Sequence, residues 1–194
     1  MPTNSRRRFL SSAASGAAVL LGGGVLAPPA AAATDEELAF ANFGAATELL
    51  LKDFYAQVGE AKLFGGALRR AFARGGFAST EHAAALAALL TGAGQTAPLE
   101  EDFEFVWPRG TFAARKPAAT AGLTVVEALL GAYLTAAATS PTESFRVLYS
   151  SLAASCGEQR SVLLLARGRA PIGNSFPPAL DLEAASSAVE AFLG

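Results

Sequence analysis

The residues of this chain that could do chemistry are carboxylates, one imidazole and one thiol. The 194-residue sequence contains a single histidine, His82, and a single cysteine, Cys156. One cysteine excludes an intramolecular disulfide, and within one chain it excludes Cys₄ and Cys₂His₂ zinc sites and iron–sulfur clusters. One histidine excludes a His₃ site or any pair of histidine ligands from one protomer. Any reactive centre therefore depends on which acidic residues gather around His82 and Cys156.

The composition favours a helical domain and argues against nucleic acid as a partner. Apolar residues make up 52% of the chain and charged residues 16%, and the net charge is −2. The apolar content is rich in alanine and has few β-branched runs, which favours helices over strands. We find no basic face of the kind that binds a phosphate backbone. GxGxxG, Walker A, GxSxG and HExxH motifs are also absent from the sequence.

Apolar spacing and end signals predict four long helices and a short fifth one. The hairpin 123–166 is the centre of this arrangement, since its two apolar helices are joined by only a short loop. Thr34 and Asp181 are the predicted N-caps of the first and last helices. The predicted helices span about 35–59, 62–90, 122–139 and 142–167. An irregular stretch, residues 95–121, lies between the second and third helices. It alternates acidic with aromatic residues and is predicted to cross over the bundle and pack its aromatic side chains outside the core.

The N-terminal residues 1–33 have the layout of an export signal. A basic run is followed by a weakly apolar Gly- and Ala-rich stretch and then by small residues that suit an A-x-A cleavage site. The motif Arg6, Arg7, Arg8, Phe9, Leu10, preceded by a serine, is similar to the twin-arginine motif. Cleavage would leave residues 34–194 as one domain with twelve basic and seventeen acidic residues, a net charge of −5. The predicted location is periplasmic or extracellular.

Several stretches of the mature region resemble a group of exported bacterial ferritin-like domain proteins. The resemblance covers about residues 35–194, and this group shares its architecture with ferritins, rubrerythrin-type and desiccation-related proteins. It implies an all-α ferritin-like four-helix bundle with up-down-down-up order, one long crossover and a short C-terminal helix. The stretches that carry it are, in order, DFEFVWPRGTFAARKPA, LLGAYLTAA, SLAAS with the following SVL, and FPPALDLEAASSAVEAFLG.

The resemblance also implies where a ferritin-like two-metal site would lie. Such a site takes a carboxylate from each of two helices and a Glu-x-x-His pair from each of the other two. Glu48, seven residues before Tyr55, matches the carboxylate of the first helix. His82 matches the histidine of the second helix, but the expected glutamate three residues earlier is Ser79.

The third and fourth helices lack their matching ligands. Val126 stands at the position expected for the third carboxylate, seven residues before Tyr133, and Glu127 would point about 100° away from it. The expected Glu-x-x-His of the fourth helix begins at Cys156 and ends at Gln159. Two of six ligands therefore remain, and one glutamate with one histidine cannot neutralise two divalent ions.

Glu48 and His82, the two positions that match, are the candidate metal ligands, and Cys156 is a third donor that could join them. Zinc accepts oxygen, nitrogen and sulfur ligands, so these three side chains could hold one zinc ion if they converge. The alternative is that Glu48 and His82 hydrogen-bond to each other or to water inside an apolar core, or reach its edge, because a buried carboxylate needs a partner. Cys156 would then be a small buried hydrophobic residue.

Three functions follow from this pattern. The first is an exported, non-catalytic ferritin-like protein without a cofactor that acts through its surface. The second is a degenerate oxidase or peroxide-handling protein that binds iron, manganese or zinc through Glu48, His82 and acids placed one register away, such as Glu81, Glu127 and Glu158. The third is a carrier of a small apolar ligand in the core. For all three functions we expect no membrane span in the mature chain. Binding to an unknown protein partner and formation of a homodimer are both compatible with the sequence.

Overall fold

A computed structural model describes residues 33–173 and 177–193, so the predicted export signal lies outside the described residues except for Ala33. The described residues form an all-α bundle of four long helices and a short C-terminal helix, which confirms the predicted fold class. Three single-turn 3₁₀ helices span Glu100–Asp102, Thr111–Ala113 and Glu190–Phe192. The α-helices are α1 (Asp35–Glu60), α2 (Gly66–Gly92), α3 (Arg115–Thr139), α4 (Glu143–Ala166) and α5 (Leu182–Val189).

The direction of each helix follows from contacts between their ends. Near the start of α1, Glu37 bonds to Ser140 and Thr142 in the loop that joins α3 to α4. Near the end of α1, the Phe54 ring lies against Gly122 in the first half of α3. Helices α1 and α3 are therefore antiparallel, and two short hairpin loops reverse α2 against α1 and α4 against α3. The order is up-down-down-up, with residues 93–114 as the long crossover.

The N-caps of α1 and α5 form as the sequence predicts. The Thr34 hydroxyl accepts a hydrogen bond from the Glu37 amide at 3.2 Å, and the Glu37 carboxylate accepts one from the Thr34 amide at 2.8 Å. This reciprocal pair satisfies two of the amides that have no partner inside the helix. Asp181 accepts a hydrogen bond from the Ala184 amide at 2.8 Å and caps α5.

Helix α3 begins seven residues earlier than predicted. Residues 115–121 are helical and not part of the irregular stretch, although Pro117 lies among them. Proline is tolerated there because the first-turn amides of a helix lack an intrahelical partner. Ala118 and Ala119, just after it, are fully buried, so their packing in the core stabilises the additional helical turns. Among the described helices, Arg115–Thr139 alone is long and apolar enough to span a membrane, but 61% of its apolar window is buried within the bundle.

Helix α2 runs unbroken through the glycine pair Gly75 and Gly76. A Cβ at Gly75 would lie 2.6 Å from Cζ of Tyr55, and one at Gly76 would lie 3.0 Å from its Cβ. The two glycines therefore let the Tyr55 ring approach the helix backbone. This tight packing outweighs the cost of glycine in a helix interior, which is about 0.5–1 kcal/mol per residue relative to alanine.

The crossover packs its aromatic side chains against the bundle, as the alternating pattern predicts. Trp107 lies with its ring centroid 5.5 Å from that of Phe54 and 5.0 Å from that of Phe192. The indole Nε1 of Trp107 donates a hydrogen bond to Oδ2 of Asp53 at 2.6 Å. A single antiparallel bridge pairs Phe105 with Leu193. The crossover is thus held between α1 and the C-terminal residues.

Candidate functional site

The candidate site is a buried polar cluster between the four helices. Helix α1 contributes Glu48, whose side chain is fully buried, and α2 contributes His82, whose side chain is 20% exposed. Nδ1 of His82 lies 3.0 Å from Oε1 of Glu48. The structure therefore brings the two candidate ligands together, in the mutual hydrogen bond that is the alternative to metal binding.

Helix α3 adds a tyrosine to this pair. The Tyr133 hydroxyl lies 3.5 Å from Oε1 of Glu48, at the outer limit for a hydrogen bond, and Tyr133 is fully buried. Burial, then the negative charge of Glu48 and the nearby Cys156, raises the pKa of Tyr133 well above its ordinary value. The phenol therefore stays protonated at physiological pH and serves as a donor toward the carboxylate.

Helix α4 contributes Cys156 and Gln159. Burial, and next the charge of Glu48, raises the pKa of the Cys156 thiol well above its ordinary value. Because the thiolate is the form that attacks electrophiles and binds metals, this cysteine is poorly suited to either task. Oε1 of Gln159 accepts a hydrogen bond from the Tyr55 hydroxyl at 2.8 Å, which links α4 to α1 through the core.

Other positions of the predicted ligand pattern face the core but carry no strong ligand. Ser79 and Val126 are both fully buried, and the Ser79 hydroxyl has no hydrogen-bond partner among the described residues. The positions where the resemblance predicts carboxylates in α2 and α3 thus do lie in the buried interior, and they are occupied by serine and valine.

The acids that the metal hypothesis needed from a shifted register do not reach the cluster. Glu81, Glu127 and Glu158 are all exposed. Glu127 instead forms an ion pair on the surface with Arg160, with 2.8 Å between Oε1 and Nε. In the part of the chain that the structure describes, no group of three or more His, Cys, Asp or Glu side chains could hold a metal ion, and this includes Glu48, His82 and Cys156.

Several polar atoms of the cluster are buried and unpaired, and sequence reasoning did not identify them. Oε2 of Glu48, Oγ of Ser79 and Nε2 of Gln159 have no partner among the described residues. A buried polar atom without a partner costs about 1–3 kcal/mol, so a bound water molecule is favoured wherever there is room for one. The sequence signal for one of them is the spacing of Ser79 and His82, which are three residues apart and so share one face of α2.

Sequence comparisons do not add a relative to this description. Neither the known protein-family models nor the curated proteins contain a match to the chain.

Proposed function

We propose that this chain is an exported, non-catalytic ferritin-like protein whose bundle acts as a binding or structural module. The observation that carries the proposal is the donor set in the core. One carboxylate, Glu48, and one imidazole, His82, hydrogen-bond to each other where a two-metal centre would need about four carboxylates and two imidazoles. The residues present do not fit such a centre, so no reaction step is assigned to one.

The resemblance to ferritin-like proteins is part of this proposal, and the burial of the matched helix positions supports it. Glu48, Ser79, Val126 and Cys156 all lie in the buried interior. Each stands where the ferritin-like pattern would place an inward ligand. A bundle that keeps the inward positions and loses the ligands is best explained by a domain whose fold is retained without its chemistry.

A second candidate function is a degenerate metal-binding protein with one cation at Glu48 and His82. The unpaired Oε2 of Glu48 and the unpaired hydroxyl of Ser79 favour it, since both are oxygen donors in the same buried cluster. Iron, manganese or zinc would be the candidate ions. Its weakness is charge, because a single carboxylate with a neutral imidazole leaves a divalent ion uncompensated in the core.

The third possibility, a carrier of a small apolar ligand, stays a prediction. Three glycines that face the core are already closely packed and leave no space for a ligand beside them. An added Cβ would lie 2.7 Å from Tyr133 at Gly44, 2.6 Å from Tyr55 at Gly75 and 2.4 Å from Phe54 at Gly122.

Elemental analysis of the purified chain, without a metal-binding tag, decides between the first two functions. Glu48→Gln removes the charge with little change in shape, His82→Ala removes the imidazole, and exposed Glu81→Gln is the matched control. We expect far less than one equivalent of any transition metal in all four proteins. One or two equivalents that are lost in Glu48→Gln and His82→Ala but kept in Glu81→Gln would overturn the non-catalytic proposal.

Export is tested separately with residues 1–33 fused to a reporter that must fold before it is translocated. The twin-arginine assignment predicts that the fusion is exported and that the double variant Arg6→Lys, Arg7→Lys is retained. Substitution of Arg8 alone by lysine is the control, since a twin-arginine pair remains in it. Equal export of all three fusions would contradict the assignment.

A further inference from the structure

A groove lies at the end of α4, separate from the buried cluster. It has a volume of about 320 Å³ and lies between the first half of α3, the last turns of α4 and the segment that follows α4. Small-molecule sites have volumes of about 300–1,000 Å³, so this groove suits a small ligand. Arg160, Arg167 and Arg169 line it together with one acid, Glu127.

The charge of the groove is opposite to that of the chain. Three arginines against one glutamate give the lining a charge of +2, whereas the whole chain has a net charge of −2. Arg160 uses its Nε to bond to Glu127, so that pair neutralises itself. Arg167 and Arg169 are the cations left over, and both belong to the segment that ends α4.

Arg167 has an unsatisfied donor. Its Nε atom is buried and has no hydrogen-bond partner among the described residues. A buried donor attached to a permanent positive charge is costly to leave unpaired, and a carboxylate or phosphate oxygen is its best acceptor.

Apolar side chains complete the lining. Leu164 of α4 is nearly buried, and Ile172 is 86% exposed, the most exposed large hydrophobic residue that the structure describes. Nη1 of Arg160 would lie 2.9 Å from a Cβ added at residue 173, so the backbone at Gly173 closely approaches that guanidinium. This approach brings the segment with Ile172 beside the arginines.

We propose that this groove binds a small soluble organic anion, a carboxylate or phosphate with a short apolar group. Arg167 and Arg169 take the anionic head, and Leu164 and Ile172 contact the apolar group. Planar guanidinium groups match the geometry of both anions, which is why the head is assigned to arginine. The proposal does not depend on whether the buried cluster holds a metal.

The test is titration of the purified chain with hexyl phosphate and hexanoate, followed by calorimetry or by NMR shifts. We expect saturable binding of at least one of them, weakened about tenfold or more in Arg167→Gln, because a charge-assisted hydrogen bond is lost. Arg74→Gln, an equal charge change on the exposed face of α2, should bind as the wild type does. Thermal unfolding of each variant shows whether it is folded.

Two further probes separate this site from general attraction of anions. Ile172→Ser should weaken hexyl phosphate binding several-fold and leave inorganic phosphate binding unchanged, since it alters only the apolar side of the groove. Equal affinity for inorganic phosphate and hexyl phosphate would overturn the proposal. So would binding only to anionic lipid vesicles, equal weakening in Arg74→Gln and Arg167→Gln, or no saturable binding of either organic anion.

Discussion

The hydroxyl oxygen of Tyr133 occupies the space beside Gly44, only 2.7 Å from where a Cβ at that residue would be. The tyrosine reaches across from α3 and its hydroxyl points toward Glu48 on the next turn of α1. A side chain at position 44 would therefore push Tyr133 away from the only carboxylate of the buried cluster. Glycine is therefore required at position 44 because of the close approach of the neighbouring helix, and not because of its conformational freedom.

Gly44→Ala should consequently destabilise the bundle although alanine is the better helix former. Overpacking a core typically costs about 1–3 kcal/mol, more than the gain in helix propensity of about 0.5–1 kcal/mol. Gly157→Ala is the matched control, because nothing lies within 4 Å of a Cβ added in that part of α4. The control should be neutral or more stable in urea unfolding. An unchanged or higher stability of Gly44→Ala would show that Tyr133 moves aside freely.

The carboxylate of Glu37 should make the stability of the bundle depend on pH. Burial raises its pKa, but hydrogen bonds from Ser140, Thr34 and Thr142 outweigh burial and hold the pKa below its ordinary value of 4.5. A lowered folded-state pKa stabilises the protein above the unfolded-state pKa, and this contribution is lost as the pH falls through the folded-state value. Glu37 therefore stabilises the join between α1 and the α3–α4 loop at neutral pH.

Glu37→Gln should cost about 1.5–3 kcal/mol at pH 7, the usual range for hydrogen bonds to a charged group. The cost should shrink below about pH 4, where the wild-type carboxylate becomes protonated as well. Exposed Glu36→Gln, in the same first turn, should change stability little at any pH. Denaturant unfolding between pH 3 and 7 measures all three proteins, and a pH-independent cost for Glu37→Gln would contradict this account.

Cys156 should react slowly with thiol reagents while the protein is folded. It is fully buried, and burial together with the Glu48 charge raises its pKa. Labelling must wait for local opening of the bundle, so we expect a rate roughly a hundredfold or more below that of an exposed thiol. The control is Ser151→Cys in a Cys156→Ala background, which places a thiol on the exposed side of the same helix. Equal labelling rates at pH 8 would mean that the core is open.

Trp107 should report on the docking of the crossover, since it is the only tryptophan in the chain. Asp53→Ala removes the acceptor of its indole hydrogen bond and should shift the fluorescence emission to longer wavelength. The loss in stability should be about 1.5–3 kcal/mol. Asp53→Asn keeps an acceptor oxygen and should lie between the alanine variant and the wild type. Identical spectra for all three proteins would show that ring packing alone holds Trp107.

The sequence was sufficient for the fold because helix spacing and caps are local signals. Residue type and position are enough to predict Thr34 and Asp181 as caps, and both caps form. Helix α3 begins seven residues before its predicted start, because the local pattern predicts irregular structure as far as residue 121. Burial of Ala118 and Ala119, just after Pro117, stabilises these turns through tertiary contacts, which the local sequence does not reveal.

The sequence predicts which residues belong to the candidate site, but it does not predict which of their atoms form hydrogen bonds. The resemblance to ferritin-like proteins, carried over position by position, predicts Glu48, His82, Ser79 and Cys156 at inward positions. Which atoms pair depends on distances of a few tenths of an ångström, and these follow from how the Tyr55 and Tyr133 rings fit against glycines of neighbouring helices. The groove at Arg167 was missed for a related reason, because its lining is drawn from three segments that only packing brings together.

The bridge between Phe105 and Leu193 has a consequence for the order of events during synthesis. The crossover is also held there by a hydrogen bond from the Val106 amide to the Phe192 carbonyl at 2.9 Å. Leu193 follows Phe105 by 88 positions, so the crossover lacks its last partner until the C-terminal residues have been synthesised. Completion of the native structure then waits until residues 192 and 193 have left the ribosome, and a chain cut short before them would be exposed to proteases at the crossover.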